Sequence, residues 1–258
     1  MVKAKKSLGQ NWLKNEQIVG EIVKAAKIKK GEKVLEVGPG QGVLTRALLD
    51  AGAQIVAVEK DDRLIDDLKQ KFNLELANDR LEIIHHDILK FDPILINHQY
   101  KVVANLPYYI TGEFIKKFLT TPNQPSLMVL MLQKEVAERI VARDGHRPGG
   151  AGKESVLSLS VKAYGTPKYV RTVARGNFIP APKVDSAILL IENISKKLFR
   201  QNKVSETEFF TIIKKGFSSK RKQLKNNLKL ESKLLAKYGQ QRAEDLSLAD
   251  WIKICVSK

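Results

Sequence analysis

The sequence predicts an α/β domain built on a mostly parallel, seven-stranded sheet, followed by a small all-α C-terminal domain. Three observations carry this expectation. Between Lys33 and Ile191, short β-branched runs alternate with amphipathic stretches, the pattern of repeated βαβ units. A glycine-rich turn, Gly38-Pro39-Gly40-Gln41-Gly42, follows the first of those runs and opens a helix. Past Ile191 the apolar period becomes helical and the chain becomes strongly basic.

The expected strands are Val34–Val37, Ile55–Val58, Leu81–His85, Lys101–Ala104, Leu127–Leu132, Tyr169–Val173 and Ala187–Ile191. Helices fall between them. Leu44, Ala47 and Leu48 share one helical face, and Leu64, Ile65, Leu68 and Phe72 share another. Asp61 and Asp62 stand at the start of that second helix, where negative charge suits the dipole. The breaker-rich stretch Gly145–Gly152 is a loop, either a flap over a site or a plain connection. Ser205-Glu206-Thr207-Glu208 fits a capping box ahead of Phe209, Phe210, Ile213 and Phe217. Ser247 to Asp250 is a weaker start signal before Trp251 and Ile254. The boundary falls within 192–204, dividing the chain into domains 1–195 and 196–258.

Composition narrows the partners. The chain has 258 residues, 43% of them hydrophobic, and a net charge of +17. Residues 196–258 carry 16 Lys and Arg against 6 Asp and Glu, a net of +10. Such an excess points to a polyanion, a nucleic acid or an acidic membrane surface. Cys255 is the only cysteine, which rules out an intrachain disulfide, and the four histidines lack metal-ligand spacing, so no metal is expected. Residues 1–6 contain no apolar signal-peptide core, and no run reaches the ~18 residues of a membrane span. A soluble, monomeric cytoplasmic protein is expected.

The glycine turn alone does not separate cofactor classes. Its spacing, G-x-G-x-G, departs from the G-x-G-x-x-G of dinucleotide binders. Glu36 precedes it, a charge unsuited to a pyrophosphate but suited to the ammonium of a methionine moiety. The next strand ends at Glu59, 21 residues after Gly38, where a carboxylate can accept both hydroxyls of a ribose. Asp87 follows the third strand and can accept from an adenine amine. Any one of these acids could be a solvated strand end. Three at successive strand ends point to S-adenosylmethionine.

The fourth strand ends in Asn105-Leu106-Pro107-Tyr108. An adenine amine is a poor nucleophile because its lone pair is delocalised into the ring. Two acceptors, the Asn105 side-chain oxygen and the Leu106 carbonyl, can hold its hydrogens and turn the lone pair toward an electrophile. Pro107 stiffens the turn. Tyr108 can stack on the base, and oxygens and ring together favour the positive charge that develops on the nitrogen. Phe178, within Gly176–Ser186, could stack on the other face, although an aromatic in a loop is more often packing. On the basic module, Lys220, Arg221, Lys222 and Lys225 suit phosphate contacts. A lone charge run is ordinarily a solvated helix face, a reading that the chain-wide charge weakens.

With these residues in place, the chain resembles the ribosomal RNA adenine N6,N6-dimethyltransferase family, and within it the bacterial small-subunit (16S) dimethyladenosine transferases. The likeness runs from Lys6-Ser7-Leu8-Gly9-Gln10-Asn11-Trp12-Leu13 through the glycine turn, Glu59, Asp87, Asn105–Tyr108 and Phe178–Ser186. It continues through Phe217–Leu228 and Arg242-Ala243-Glu244. The resemblance implies that Asn11 and Leu13 join Gly38, Glu59, Asp87 and Asn105 around the cofactor. It implies a substrate of two adjacent adenines, each methylated twice, in a hairpin loop near the 3′ end of small-subunit rRNA within an immature ribosomal subunit. Trp12 stands where the family usually has Phe, and Val156-Leu157 where it often has Tyr-Gly. Two other readings share many of these features: a large-subunit rRNA adenine methyltransferase of the antibiotic-resistance type, and an RNA-binding assembly factor without catalysis. Against a nicotinamide oxidoreductase, the chain lacks the expected glycine spacing and has no evident hydride-site acid.

Overall fold

In the computed structural model, residues 2–96, 98–142, 152–219 and 221–256 are described. The strands in chain order are β1 (Trp12–Leu13), β2 (Lys33–Val37), β3 (Gln54–Glu59), β4 (Leu81–His85), β5 (Tyr100–Asn105), β6 (Leu127–Gln133), β7 (Thr166–Val173), β8 (Phe178–Ile179) and β9 (Ser186–Glu192). The helices are α1 (Glu16–Ala26), α2 (Val43–Asp50), α3 (Ile65–Lys71), α4 (Asn73–Ala77), α5 (Thr111–Thr120), α6 (Lys134–Ile140), α7 (Val156–Tyr164), α8 (Lys197–Asn202), α9 (Glu206–Gly216), α10 (Leu224–Asn227), α11 (Ser232–Tyr238) and α12 (Leu248–Val256).

All seven expected strands form one sheet, ordered β4-β3-β2-β5-β6-β9-β7. β2 pairs in parallel with β3 and β5, β3 with β4, and β5 with β6, while β9 runs antiparallel to β6. Leu127 to Leu132 of β6 are buried throughout, the continuous apolar run expected of a strand covered on both faces. One core cluster joins Ile18, Val19 and Ile22 of α1 and Leu48 of α2 to Val34, Ile55 and Val129 of the sheet. Each such side chain withdrawn from water contributes roughly 1.5–3 kcal/mol before conformational entropy is set against it. Two short strands not visible in the pattern, β1 and β8, pair antiparallel with Trp12 opposite Ile179 and Leu13 opposite Phe178.

The chain order moves outward from β2 to β4, then returns to the other side of β2 as β5. The carboxyl ends of β2 and β5 are therefore neighbours at a topological switch point, where open α/β sheets bind ligands. In-register pairing of Val37 with Val58 and Ala104 brings Gly38, Glu59 and Asn105 to one edge.

The described chain falls into two compact units, Met1–Ala137 with Lys168–Ile194, and Glu138–Pro167 with Ser195–Lys258. The break after residue 194 lies beside the expected one, but the expected division had placed residues 138–167 in the larger domain. They pack instead with the helical unit. Tyr164 of α7 lies 5.1 Å from the ring of Phe199 and 6.1 Å from that of Phe210, and its hydroxyl donates to Glu206. A buried pair, Lys162 to Glu154 at 2.7 Å, ties the start of α7 to its end. The Ser205 hydroxyl caps α9 by accepting from the Glu208 amide at 3.1 Å. At α12 the weaker signal becomes a reciprocal cap: Asp250 N–H donates to the Ser247 hydroxyl, and Ser247 N–H to the Asp250 carboxylate. The expected loop Gly145–Gly152 lies, up to residue 151, outside the described residues. No helix of the described residues is long and apolar enough to cross a membrane.

Candidate active site

At the switch point lies an open cleft of about 790 Å³, lined by the ends of β2 to β5 and by the N-terminal arm. The turn after β2 makes its floor. Gly40 and Gly42 have φ of +58° and +78°, in the left-handed region that side chains resist. A β-carbon on Gly42 would stand 2.5 Å from the Phe72 ring, and one on Gly40 would stand 3.0 Å from Trp12. The turn is glycine-rich because the chain doubles back there with neighbours on both sides.

Glu59, at the end of β3, is 5% exposed. Its carboxylate accepts from the amides of Gly40 at 3.1 Å and of Lys60 and Asp61 at 2.9 Å each. Burial pushes its pKa up, and the three amides oppose that rise. A carboxylate clamped in one orientation, with lone pairs still facing a cleft, suits the two hydroxyls of a ribose. Asp87 also lines the cleft; its Oδ2 takes Lys60 Nζ at 2.7 Å and its Oδ1 the Leu89 amide at 3.0 Å. Lys60 is the main influence holding the Asp87 pKa below the ordinary carboxylate value, so Asp87 is ionised at neutral pH.

Asn105 closes the opposite wall. Leu106 N–H donates to the Met131 carbonyl at 3.1 Å, pinning the end of β5 to β6. Asn105 Nδ2 donates to the Asn11 carbonyl at 2.8 Å. That bond decides the orientation of the amide: its donor side is committed, and its Oδ1, which accepts no hydrogen bond among the described residues, remains an acceptor. Leu106, Pro107 and Tyr108 complete this wall. Tyr108 is half-buried, with its hydroxyl 2.8 Å from Ser186 Oγ, and burial raises its pKa, so the ring is a neutral phenol.

Asn11, Gly38, Gly40, Glu59, Asp87 and Asn105 thus line one cleft with Leu106, Pro107 and Tyr108. Three expected residues do not. Leu13 faces a smaller adjoining pocket of about 400 Å³ that also includes Trp12, Gly38 and Asn105. Glu36 is 0% exposed and lies behind the cleft wall beside Thr45 and Glu59, so it offers no carboxylate to the cleft. Phe178 is 3% exposed in the core cluster, its backbone paired with Leu13, because the side chain of a two-stranded pair against a core turns inward. Here it packs in the core and does not line the cleft, where it was expected. Sequence reasoning passed over Trp12, Lys60 and Tyr109, all at the cleft. Tyr109 is 62% exposed beside the chosen Tyr108; a paired aromatic was the only signal for it. In the second unit, Arg221, Lys222 and Lys225 are exposed, and Lys220 lies outside the described residues.

An amide oxygen held across a crevice from a clamped ribose-type acceptor, on a Rossmann-like sheet, defines an amino-directed methyltransferase class. Comparison with known proteins narrows it. The profile of the family described as "Ribosomal RNA adenine dimethylase" matches residues 1–256. A "Ribosomal RNA small subunit methyltransferase A" of Dehalococcoides mccartyi is 41% identical over 269 aligned positions, covering 99% of this chain and 88% of that protein. One of the same name from Thermosynechococcus vestitus is 38% identical, with 98% and 96% covered. Among solved structures, a dimethyladenosine transferase from Plasmodium falciparum superposes with a TM-score of 0.78 at 28% identity, covering 95% of this chain and 96% of that one. The 23S rRNA methyltransferase ErmE, at TM-score 0.76 and 23% identity over 95% and 98%, shares the fold. The chain belongs to the ribosomal RNA adenine dimethylase family.

Proposed function

We propose that this enzyme uses S-adenosylmethionine to methylate the N6 amine of two adjacent adenines, each twice. The target is a hairpin loop near the 3′ end of small-subunit rRNA, met within an immature 30S-type ribosomal subunit in the cytoplasm, and the enzyme, a monomer, contributes to small-subunit maturation. The observation that carries the reading is the Asn105 amide, whose donor side is occupied by the Asn11 carbonyl at 2.8 Å and whose oxygen is left to accept.

Glu59, Asp87 and the two glycines Gly38 and Gly40 fit a nucleoside with a methionine tail: a clamped carboxylate for the ribose, an ionised carboxylate for the adenine amine, and a floor bare of side chains at those two positions. When bound, S-adenosylmethionine supplies a methyl group on a positively charged sulfur. The chain's own residues do the rest. The target adenine leaves its stack to reach the cleft. Asn105 Oδ1 and the Leu106 carbonyl hold the amine hydrogens and aim the nitrogen lone pair into the cleft. Both oxygens are fixed beforehand, Leu106 by β6 and Asn105 by the arm, so little reorganisation is needed as positive charge develops. Tyr108 offers its ring face to the same charge. An amide is not a base, so the amine proton leaves to water after transfer. Arg221, Lys222 and Lys225 hold phosphates and make binding salt-sensitive.

The test is incubation with labelled S-adenosylmethionine and immature small subunits, followed by nucleoside analysis. Dimethyladenosine is expected from the wild type. Asn105→Ala should abolish transfer while RNA affinity is largely retained; persistent methylation in that variant would overturn the mechanism. Primer extension on both rRNAs of a deletion strain separates a small-subunit target from a large-subunit one.

A further inference from the structure

The N-terminal arm meets the reacting end of the cleft and is tied down at its far end. At the near end, a β-carbon on Gly9 would lie 3.2 Å from the Tyr109 ring and 3.5 Å from Pro107, so the backbone lies flat on the catalytic turn. The Asn11 carbonyl receives the Asn105 amide. At the far end, Gln10 accepts from the Lys5 amide through Oε1 and donates through Nε2 to Asp61 Oδ2, both at 2.7 Å.

Asp61 is 1% exposed. Arg63 grips it with a fork, Nε to Oδ1 at 2.8 Å and Nη2 to Oδ2 at 2.6 Å, and reaches the Lys3 carbonyl at 3.4 Å. That guanidinium, helped by Gln10, outweighs burial and holds the Asp61 pKa down at about 2. The Asp61 amide, in turn, donates to Glu59. From sequence, Asp61 reads as a charge that suits a helix dipole. Asp61 does cap that turn, accepting from the Arg63 amide at 3.3 Å, but an Arg fork and a Gln amide on a buried carboxylate go beyond capping.

We infer that Gln10 and Asp61 form a latch that positions the N-terminal arm across the cleft and thereby sets Asn105. They are positioning residues for the methyl transfer. The chain of contacts is Asp61 to Gln10, Gln10 to the adjoining Asn11, and the Asn11 carbonyl to Asn105 Nδ2. Without the latch the arm is free to lift, and the Asn105 amide is free to turn over and present its NH2 to the adenine amine, donor against donor. Because Asp61 and Glu59 share one turn, the same latch couples the ribose acceptor to the amine acceptor. Hydrogen bonds to ionised groups are the stronger kind, and the Asp61 end of this one is buried. The inference rests on the function proposed above.

The test uses full-length protein with Trp251→Phe, which leaves Trp12 as the only tryptophan and a reporter of the cleft. In that background Gln10→Ala removes the latch while the Asp61–Arg63 pair stays intact; Asp61→Asn is the second variant. For Gln10→Ala, hydrogen exchange of the amides of residues 9–13 in cofactor-free protein should quicken about tenfold. S-adenosylmethionine affinity, read by Trp12 fluorescence, should weaken about tenfold, equivalent to about 1.4 kcal/mol. kcat should fall by a similar factor, with RNA affinity and thermal midpoint unchanged. Asp61→Asn should show the same pattern, tempered by whatever stability it loses.

If Gln10→Ala keeps wild-type exchange, cofactor affinity and kcat, the latch is refuted. So it is if only the thermal midpoint falls. If the wild type itself neither binds S-adenosylmethionine nor methylates rRNA, the proposed function fails and takes the latch with it. A wild type that works beside an indifferent variant sinks the latch alone.

Discussion

Glu36 turns a buried carboxyl into a measurable pH dependence. It is 0% exposed, and neither of its oxygens has a hydrogen-bond partner among the described residues. Burial, opposed by the nearby Thr45 hydroxyl and reinforced by Glu59, raises its pKa from the ordinary 4.5 to about 8. A raised carboxyl pKa means that the folded state keeps a proton the unfolded state gives up. Stability is therefore complete below the ordinary pKa and is lost as pH rises toward the folded value. With these two pKa values, the loss is about 1 kcal/mol at pH 5 and about 3 kcal/mol at pH 7. Glu36→Gln keeps the shape and removes the titration. Its stability relative to wild type should therefore improve by about 2–3 kcal/mol between pH 5 and pH 7. Urea unfolding followed by Trp12 fluorescence, with Trp251→Phe in both proteins, reads the unit that contains Glu36. The comparison uses the difference between the two proteins, which cancels their other titrations. A difference that stays constant from pH 5 to pH 7 would show that Glu36 ionises freely. The same protonation has a use beside the cofactor cleft: with Glu36 neutral, Glu59 can carry its charge without a second carboxylate behind it.

Two further perturbations address the base and the RNA. Phe178→Leu should lower stability by about 1–2 kcal/mol through loosened core packing, while kcat at a temperature where the variant is folded stays near wild type. A base-stacking role would instead give a large kcat loss with unchanged melting. Arg221→Ala with Lys222→Ala should reduce the slope of log affinity for rRNA against log salt by about 0.7–0.9 for each phosphate that is no longer neutralised. An unchanged slope would place the RNA elsewhere.

The sheet was legible because its strands announce themselves locally. Each carries a short apolar run, β-branched in most, and the errors are at the ends: Thr166–Val173 begins three residues before the expected Tyr169. The two-residue strands β1 and β8 were invisible because a period of two needs several residues to register. The assignment of α7 failed for a different reason. Its place in the chain lies among the strands, but Tyr164 and the Lys162–Glu154 pair bind it to helices far along the sequence. Sequence order carries no information about such a choice.

The acids at the strand ends were readable because parallel pairing in register brings successive carboxyl ends level, so that position in the strand implies position in the cleft. Glu36 breaks the inference at a single residue. It sits inside β2, where alternation decides the direction of the side chain, while Glu59 and Asp87 stand at or beyond a strand end, where the chain opens onto the crevice. The Asn-Leu-Pro-Tyr turn shows the limit more sharply. Its residue types point to the proposed reaction, yet whether Asn105 presents oxygen or NH2 to the cleft is decided by the carbonyl of Asn11, 94 residues earlier. Chemistry in this protein is written in a local motif; its orientation depends on a distant segment, and only the folded chain brings the two together.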